Sequence, residues 1–165
     1  MSFINKLFHN ANTISRLLDL ADKAPQWRKQ LMEKKNEFRG GAFRDAVMGM
    51  CALVAAADGT IAPDERMRVA NLITTEPTLD AFPADELRQL FDANCDRVLA
   101  DPAFGKTHLI QQITKVAGKP DQARAVVQIG IMIANADGRL DIAEIHAVRE
   151  ACAALNIPPM LDLPG

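Results

Sequence analysis

Apolar residues recur along this chain at spacings of three and four, and no stretch alternates apolar with polar for the length of a strand. Ile4, Leu7, Phe8, Ala11, Ile14, Leu18 and Ala21 form one amphipathic stripe, which Pro25 interrupts. Trp27 to Phe38 is a second, basic, helix-compatible stretch, and Gly40-Gly41 after it reads as a hinge. From Ala42 to Ala57 the chain is apolar nearly all round, the pattern of a helix buried on most sides. Gly59 falls just past its end, where a left-handed cap belongs, and Pro63 opens a helix to about Thr75 with Asp64 and Glu65 in the first turn. Further helices are expected from Pro83 to Val98 or Leu99, stopped by Asp101-Pro102, and from about Lys106 to Ala117 before Gly118. Two more span Asp121 to Ala136, again apolar all round, and Ile142 to Leu155 before Pro158-Pro159. The expectation is an all-α, compact bundle of about seven helices.

The two very apolar helices end in the same phrase. Ala57-Asp58-Gly59-Thr60-Ile61 is followed four residues on by Glu65, and Ala136-Asp137-Gly138-Arg139-Leu140 by Glu144. The copies stand 79 residues apart, in register without a gap from Ala46/Ala125 through Val69/Val148, and eight of those 24 pairs are identical. Most other apolar positions exchange like for like, as in Met50/Ile129, Leu53/Met132 and Val54/Ile133. A duplicated helix-turn-helix hairpin is implied, so the bundle should be built from two pseudo-symmetric hairpins. Their apolar helices should bury each other, with Gly49 and Gly130 permitting close approach.

Composition narrows the setting. A chain of 165 residues, 48% hydrophobic and 24% charged, can bury one proper core. The longest apolar runs, Val47 to Ala57 and Ile129 to Ala134, fall short of the ~18 residues of a membrane span. The start, Met1-Ser2-Phe3-Ile4-Asn5-Lys6, has no long apolar core or small-residue cleavage site, and a reducing cytoplasm is expected. Cys51, Cys95 and Cys152 are odd in number and widely spaced, which argues against a disulfide framework or a zinc-thiolate site and for small buried thiols. The net charge of −2 is unevenly placed: residues 1–40 carry eight Lys/Arg against four Asp/Glu, and residues 41–165 carry eleven against seventeen. An acidic body of this kind excludes nucleic acid as a partner on charge grounds. The basic tail has three readings: packing on its own domain, neutralising the acidic body or an acidic partner, or lying on an anionic inner leaflet through residues 3–35.

The repeated phrase has two chemical readings. Asp-Gly-x-Ile/Leu-x-x-x-Glu matches the second half of an EF-hand loop, but the earlier ligand positions would fall on Val54 and Ala56 or on Ile133 and Asn135, so an EF-hand is rejected. What remains is an Asp at a helix end and a Glu one turn into the next helix. Asp58 and Asp137 would lie near the negative end of a helix, where an anion is unfavourable by ~0.3–1 kcal/mol and a cation or several N–H donors would offset the cost. The alternative is local capping, in which Asp turns on its own backbone and Glu closes a capping box. That works in the second copy, where Asp141 stands at the N-cap position, and less well in the first, where Ala62 cannot cap. Whether the two acidic pairs converge is open, since antiparallel central helices would put the corners at opposite ends. His146 lies only two residues from Glu144, on a different helix face, so a di-iron pattern is not met; His9 and His108 are isolated. No phosphate loop, nucleophile elbow or Ser/Cys-His constellation is visible, and no enzyme is expected.

With Ala57-Asp58-Gly59 and Glu65, Ala136-Asp137-Gly138 and Glu144, and a basic extension beginning Met-Ser-Phe, the chain resembles the tellurite-resistance protein TerB family. The resemblance covers residues 42–157 well and the tail loosely. It implies a TerB-like all-helical domain over residues 41–160, preceded by a basic amphipathic helical extension over residues 1–40. It further implies a bacterial stress role in resistance to tellurite and other agents, a metal-binding acidic surface, and association with other stress proteins and a membrane-bound partner complex. At matching positions Asp58, Glu65, Asp137 and Glu144 become candidate metal ligands, with Asp64 and Asp141 as supporting acids. Oxygen-only ligands favour calcium, magnesium or manganese over zinc. Similar domains also occur in membrane co-chaperones, which keeps open a metal-free protein-interaction scaffold at the inner membrane or in a co-chaperone-like assembly. Catalysis of tellurite reduction would need redox chemistry that the three cysteines do not obviously provide. The expected location is cytoplasmic, with peripheral contact to the inner membrane as an extension of that reading.

Overall fold

The computed structural model describes residues 23–134, 136 and 140–159. Among them are seven α-helices and no strand: α1 (Ala24–Glu33), α2 (Gly41–Ala55), α3 (Pro63–Thr75), α4 (Ala84–Ala100), α5 (Pro102–Ile113), α6 (Pro120–Ala134) and α7 (Ile142–Ala154). Single 3-10 turns cover Lys35–Glu37, Pro77–Leu79 and Thr114–Val116. The expected stripe over residues 3–21 lies outside the described residues.

The two apolar helices form the centre. α2 is buried without a break from Ala46 to Ala55, and α6 from Ala125 to Ala134. They pack directly on each other, and α4, α5 and α7 complete the wall around α2. Phe43, Met48, Met50, Phe91, Ile129 and Ile131 are among the largest fully buried side chains, each contributing ~1.5–3 kcal/mol by leaving water. Gly130 serves the central contact as expected: a Cβ there would come within 2.5 Å of Met50 Cγ. Gly49 does not. It faces α5, where an added Cβ would stand 3.1 Å from the Leu109 carbonyl oxygen and from Gln112 Cβ.

The α4–α5 junction is tighter than the pattern suggested. Asp101-Pro102 stops one helix and starts the next: Asp101 is the N-cap of α5, its Oδ1 accepting from Phe104 N at 3.2 Å, with Pro102 in the first turn. The start expected near Lys106 is four residues late, because Asp101-Pro102, a stop in the pattern, also serves as the next helix start, and Gly105 inside that helix is a contact point. A Cβ at Gly105 would lie 2.5 Å from Val98 Cα, so the two helix backbones meet there.

α1 lies on the body. Trp27 and Leu31 join the main core, and Phe38 stacks on Phe43 with ring centroids 4.9 Å apart. Arg28 Nε and Nη2 donate to the two carboxylate oxygens of Glu76, both at 3.1 Å, and Thr78 Oγ1 donates to Glu76 Oε1 at 3.2 Å. Lys35 pairs with Asp80 at 2.7 Å and Lys34 with Asp121 at 3.7 Å. Part of the basic charge read from the sequence is thus neutralised by the acidic body. No helix among the described residues is long and apolar enough to cross a membrane.

Candidate functional site

The first corner is built by helix termination. Ala57 N donates to Val54 O at 3.2 Å and Gly59 N to Ala56 O at 2.9 Å, tightening the end of α2, and Gly59 takes φ 92°, a value that L side chains rarely adopt. Asp58 is exposed and turns on its own loop, Oδ1 accepting from Thr60 N at 3.1 Å and Thr60 Oγ1 at 3.4 Å. Buried Ile61 pins the strap between the helices, and α3 begins at Pro63 with no side-chain cap from Ala62. Asp64 is exposed; Glu65, one position further round the turn, is half-buried.

The second corner ends α6 and begins α7. Asp137 lies outside the described residues, as do Asn135, Gly138 and Arg139. Leu140 is buried like Ile61, its repeat counterpart. Asp141 and Glu144 form a capping box: Glu144 N donates to Asp141 Oδ1 at 2.7 Å, and Asp141 N donates to Glu144 Oε1 at 3.2 Å.

Both corners lie at one end of the molecule. A narrow cleft of about 10 Å³, roughly the volume one water requires, is lined by Glu65 and Glu144 together. Its other walls are Cys51, Val54 and Ala55 from α2, and Gly130, Ile133 and Ala134 from α6. These are repeat partners: 51 with 130, 54 with 133, 55 with 134 and 65 with 144. The pseudo-twofold of the duplication therefore runs through the cleft, and its two carboxylates are one position seen twice. Arg68, one turn after Glu65 on α3, lines the same cleft. Sequence reasoning passed over it, although the i, i+3 spacing from Glu65 was the available signal.

Burial pushes the Glu144 carboxyl up to about 7, with the negative charges of Asp141 and Glu65 acting in the same direction; the Asp141 backbone N–H opposes them. Glu65 and Glu144 are thus close enough to feel each other electrostatically. Asp58, Asp64 and Asp141 do not line the cleft. Among the described residues no group of three or more His, Cys, Asp and Glu is placed to hold a metal ion. As a cation site the pair offers two oxygen ligands of the type hard ions prefer, with one Glu144 oxygen already engaged in the capping box.

On the other side of α2's C-terminal half, a groove of about 410 Å³ runs between α5 and α7. His146 and Glu150 line it, so α7 turns Glu144 to the cleft and His146 to the groove. The three cysteines are buried; burial drives the Cys95 thiol up to about 12 and raises Cys51 as well, leaving both unreactive as thiolates at neutral pH.

An all-α domain whose two repeat-related hairpins bring their acidic corners to one end is defined as a class by that duplication. A family model described as Tellurite resistance protein TerB matches residues 44–160, and the chain belongs to that family. It is accordingly a tellurite-resistance-associated helical domain. No curated protein and no solved structure matches the chain.

Proposed function

We propose that this protein is a non-enzymatic component of a stress-resistance system directed at tellurite or related metal oxyanions, and that it binds divalent cations through its duplicated Asp-Gly…Glu corners. The observation that carries the reading is the convergence of Glu65 and Glu144 on one cleft. Burial raises the Glu144 carboxyl, with the charges of Asp141 and, least, Glu65 adding to it, so a proton is held where a cation could take its place. A cation, or the guanidinium or ammonium of a partner, replaces that proton. Oxygen ligands favour calcium, magnesium or manganese over zinc, and two carboxylates completed by water would bind weakly. Asp58, Asp64 and Asp141, which do not line the cleft, would act only through their charge.

Calorimetric titration of calcium, manganese, magnesium and zinc into chelator-stripped full-length protein tests this. Saturable binding by the first three, lost in Glu65→Gln/Glu144→Gln, is the expected result. Heats indistinguishable from dilution, or binding unchanged by the double substitution, would sink it.

A second reading is supported by the local bonding of Asp58 and Asp141, which satisfies both carboxylates without a ligand. In it the domain is a metal-free scaffold that holds other tellurite-resistance or stress proteins, at the inner membrane or in a co-chaperone-like assembly. Partner capture that is indifferent to chelator and to the Glu65/Glu144 substitutions would favour this reading.

A further inference from the structure

Repeat symmetry in the cleft between the two corners is broken by one charge. Its walls come in repeat pairs, Cys51 with Gly130, Val54 with Ile133, Ala55 with Ala134 and Glu65 with Glu144. Arg68 has no such counterpart. Seventy-nine residues on stands Ala147, which lines the α5–α7 groove and not the cleft.

The two carboxylates are also held differently. Glu144 is tied into the capping box with Asp141, whereas Ala62 stands at the matching place before Glu65 and gives α3 no side-chain cap. Glu65 and Arg68, three residues apart on α3 and both half-buried, line the cleft from the same helix face. Most of the other walls, Val54, Ala55, Val69, Ile133 and Ala134, carry apolar side chains. A positive charge in so narrow and apolar a gap acts on its neighbours with less screening than it would meet in water.

We propose that Arg68 sets the cation affinity of the cleft, its positive charge acting as a built-in competitor of a divalent ion between Glu65 and Glu144. This role presupposes that the cleft binds cations, as proposed. An entering ion gains the attraction of two carboxylates and meets the repulsion of one guanidinium, so it is held more weakly than the carboxylates alone would hold it. Because Ala147 supplies no second charge, loss of the Arg68 side chain alone removes the competition.

Calorimetric titration of manganese and of calcium into chelator-stripped full-length protein at pH 8 tests the proposal. The wild type is compared with Arg68→Met, which keeps an unbranched stem without the charge, and with Arg68→Lys, which keeps the charge. Affinity for both ions should rise about tenfold in Arg68→Met and stay within about threefold of the wild type in Arg68→Lys. A second readout needs no cation. In chelator, Arg68→Met should lower the thermal midpoint of the wild type more than that of Glu65→Gln/Glu144→Gln, where the charge has no cleft carboxylates left to offset. Affinity that Arg68→Met leaves unchanged, an equal rise in Arg68→Lys, or equal falls in the two backgrounds would each overturn the role of Arg68 while the cation reading stands. No saturable binding by any of the three proteins would overturn both. If Arg68→Met does not fold, Arg68→Gln is titrated in its place.

Discussion

Glu65 and Glu144, 79 residues apart and occupying the same place in the two copies of the repeat, line a single cleft where the ends of the two central helices meet. The duplication has therefore produced a self-facing pair of like charges at the pseudo-twofold. Arg68 lines the same cleft; burial raises the Glu144 carboxyl, which makes the pair responsive to protons and, in the proposed function, to cations as well.

The proton response has a definite sign. Glu144 has its carboxyl raised in the folded state, to about 7, so the native protein holds a proton that the unfolded chain releases near the ordinary glutamate value. Stability from this group is fully present below that ordinary value and is lost as pH rises through about 7. Urea unfolding at low ionic strength should show the cation-free protein less stable at pH 8 than at pH 5 by about 1–2 kcal/mol, after allowance for solvent screening. Glu144→Gln keeps a side chain able to close the capping box and should flatten that dependence.

Cations should compete with that proton. Millimolar manganese or calcium should raise the melting temperature of the wild type more at pH 8 than at pH 5.5, because the carboxylate form is the ligand. Glu65→Gln should abolish most of the shift. Asp58→Asn, which retains the turn onto Thr60, should leave the fold intact and reduce the shift only slightly. Differential scanning fluorimetry with and without chelator reads all three.

Arg28→Ala should destabilise the fold by about 2–3 kcal/mol, since it leaves the buried Glu76 carboxylate without its bidentate partner. Trp27 is the single tryptophan of the chain and lies one residue away, in the core. Its fluorescence therefore reports α1 directly, and should redden at lower urea in the variant than in the wild type. An unchanged midpoint would mean that the ion pair contributes nothing to holding α1.

Gly105→Ala should cost about 1–3 kcal/mol, because the added methyl would meet the Val98 backbone and not a side chain that can turn away. Gly40→Ala is the control: a Cβ there meets nothing within 4 Å. Paired chemical-denaturation curves of the two variants check this, and equal midpoints would show that the α4–α5 crossing can relax.

Helix identity, the duplicated hairpin and the buried central helices were legible in the sequence, because helical periodicity and repeat register are local properties that survive without a partner. The second-copy capping box was legible for the same reason: Asp141 and Glu144 are three residues apart and need only a helix start. The start of α5 is misplaced near Lys106 because Asp101-Pro102 reads only as a stop; that the next helix begins there at once is tied to the Gly105–Val98 backbone contact, which involves another helix. Gly49 was paired with the wrong neighbour because a pattern tells that a face is buried and not what buries it. Which carboxylates meet was decided by tertiary structure alone. Asp58 and Glu65 share one corner, yet only Glu65 reaches the cleft, while Glu144 arrives from a helix 79 residues on. A chain's spacing fixes which way side chains point along one helix; the packing of α2 on α6 fixes what they point at.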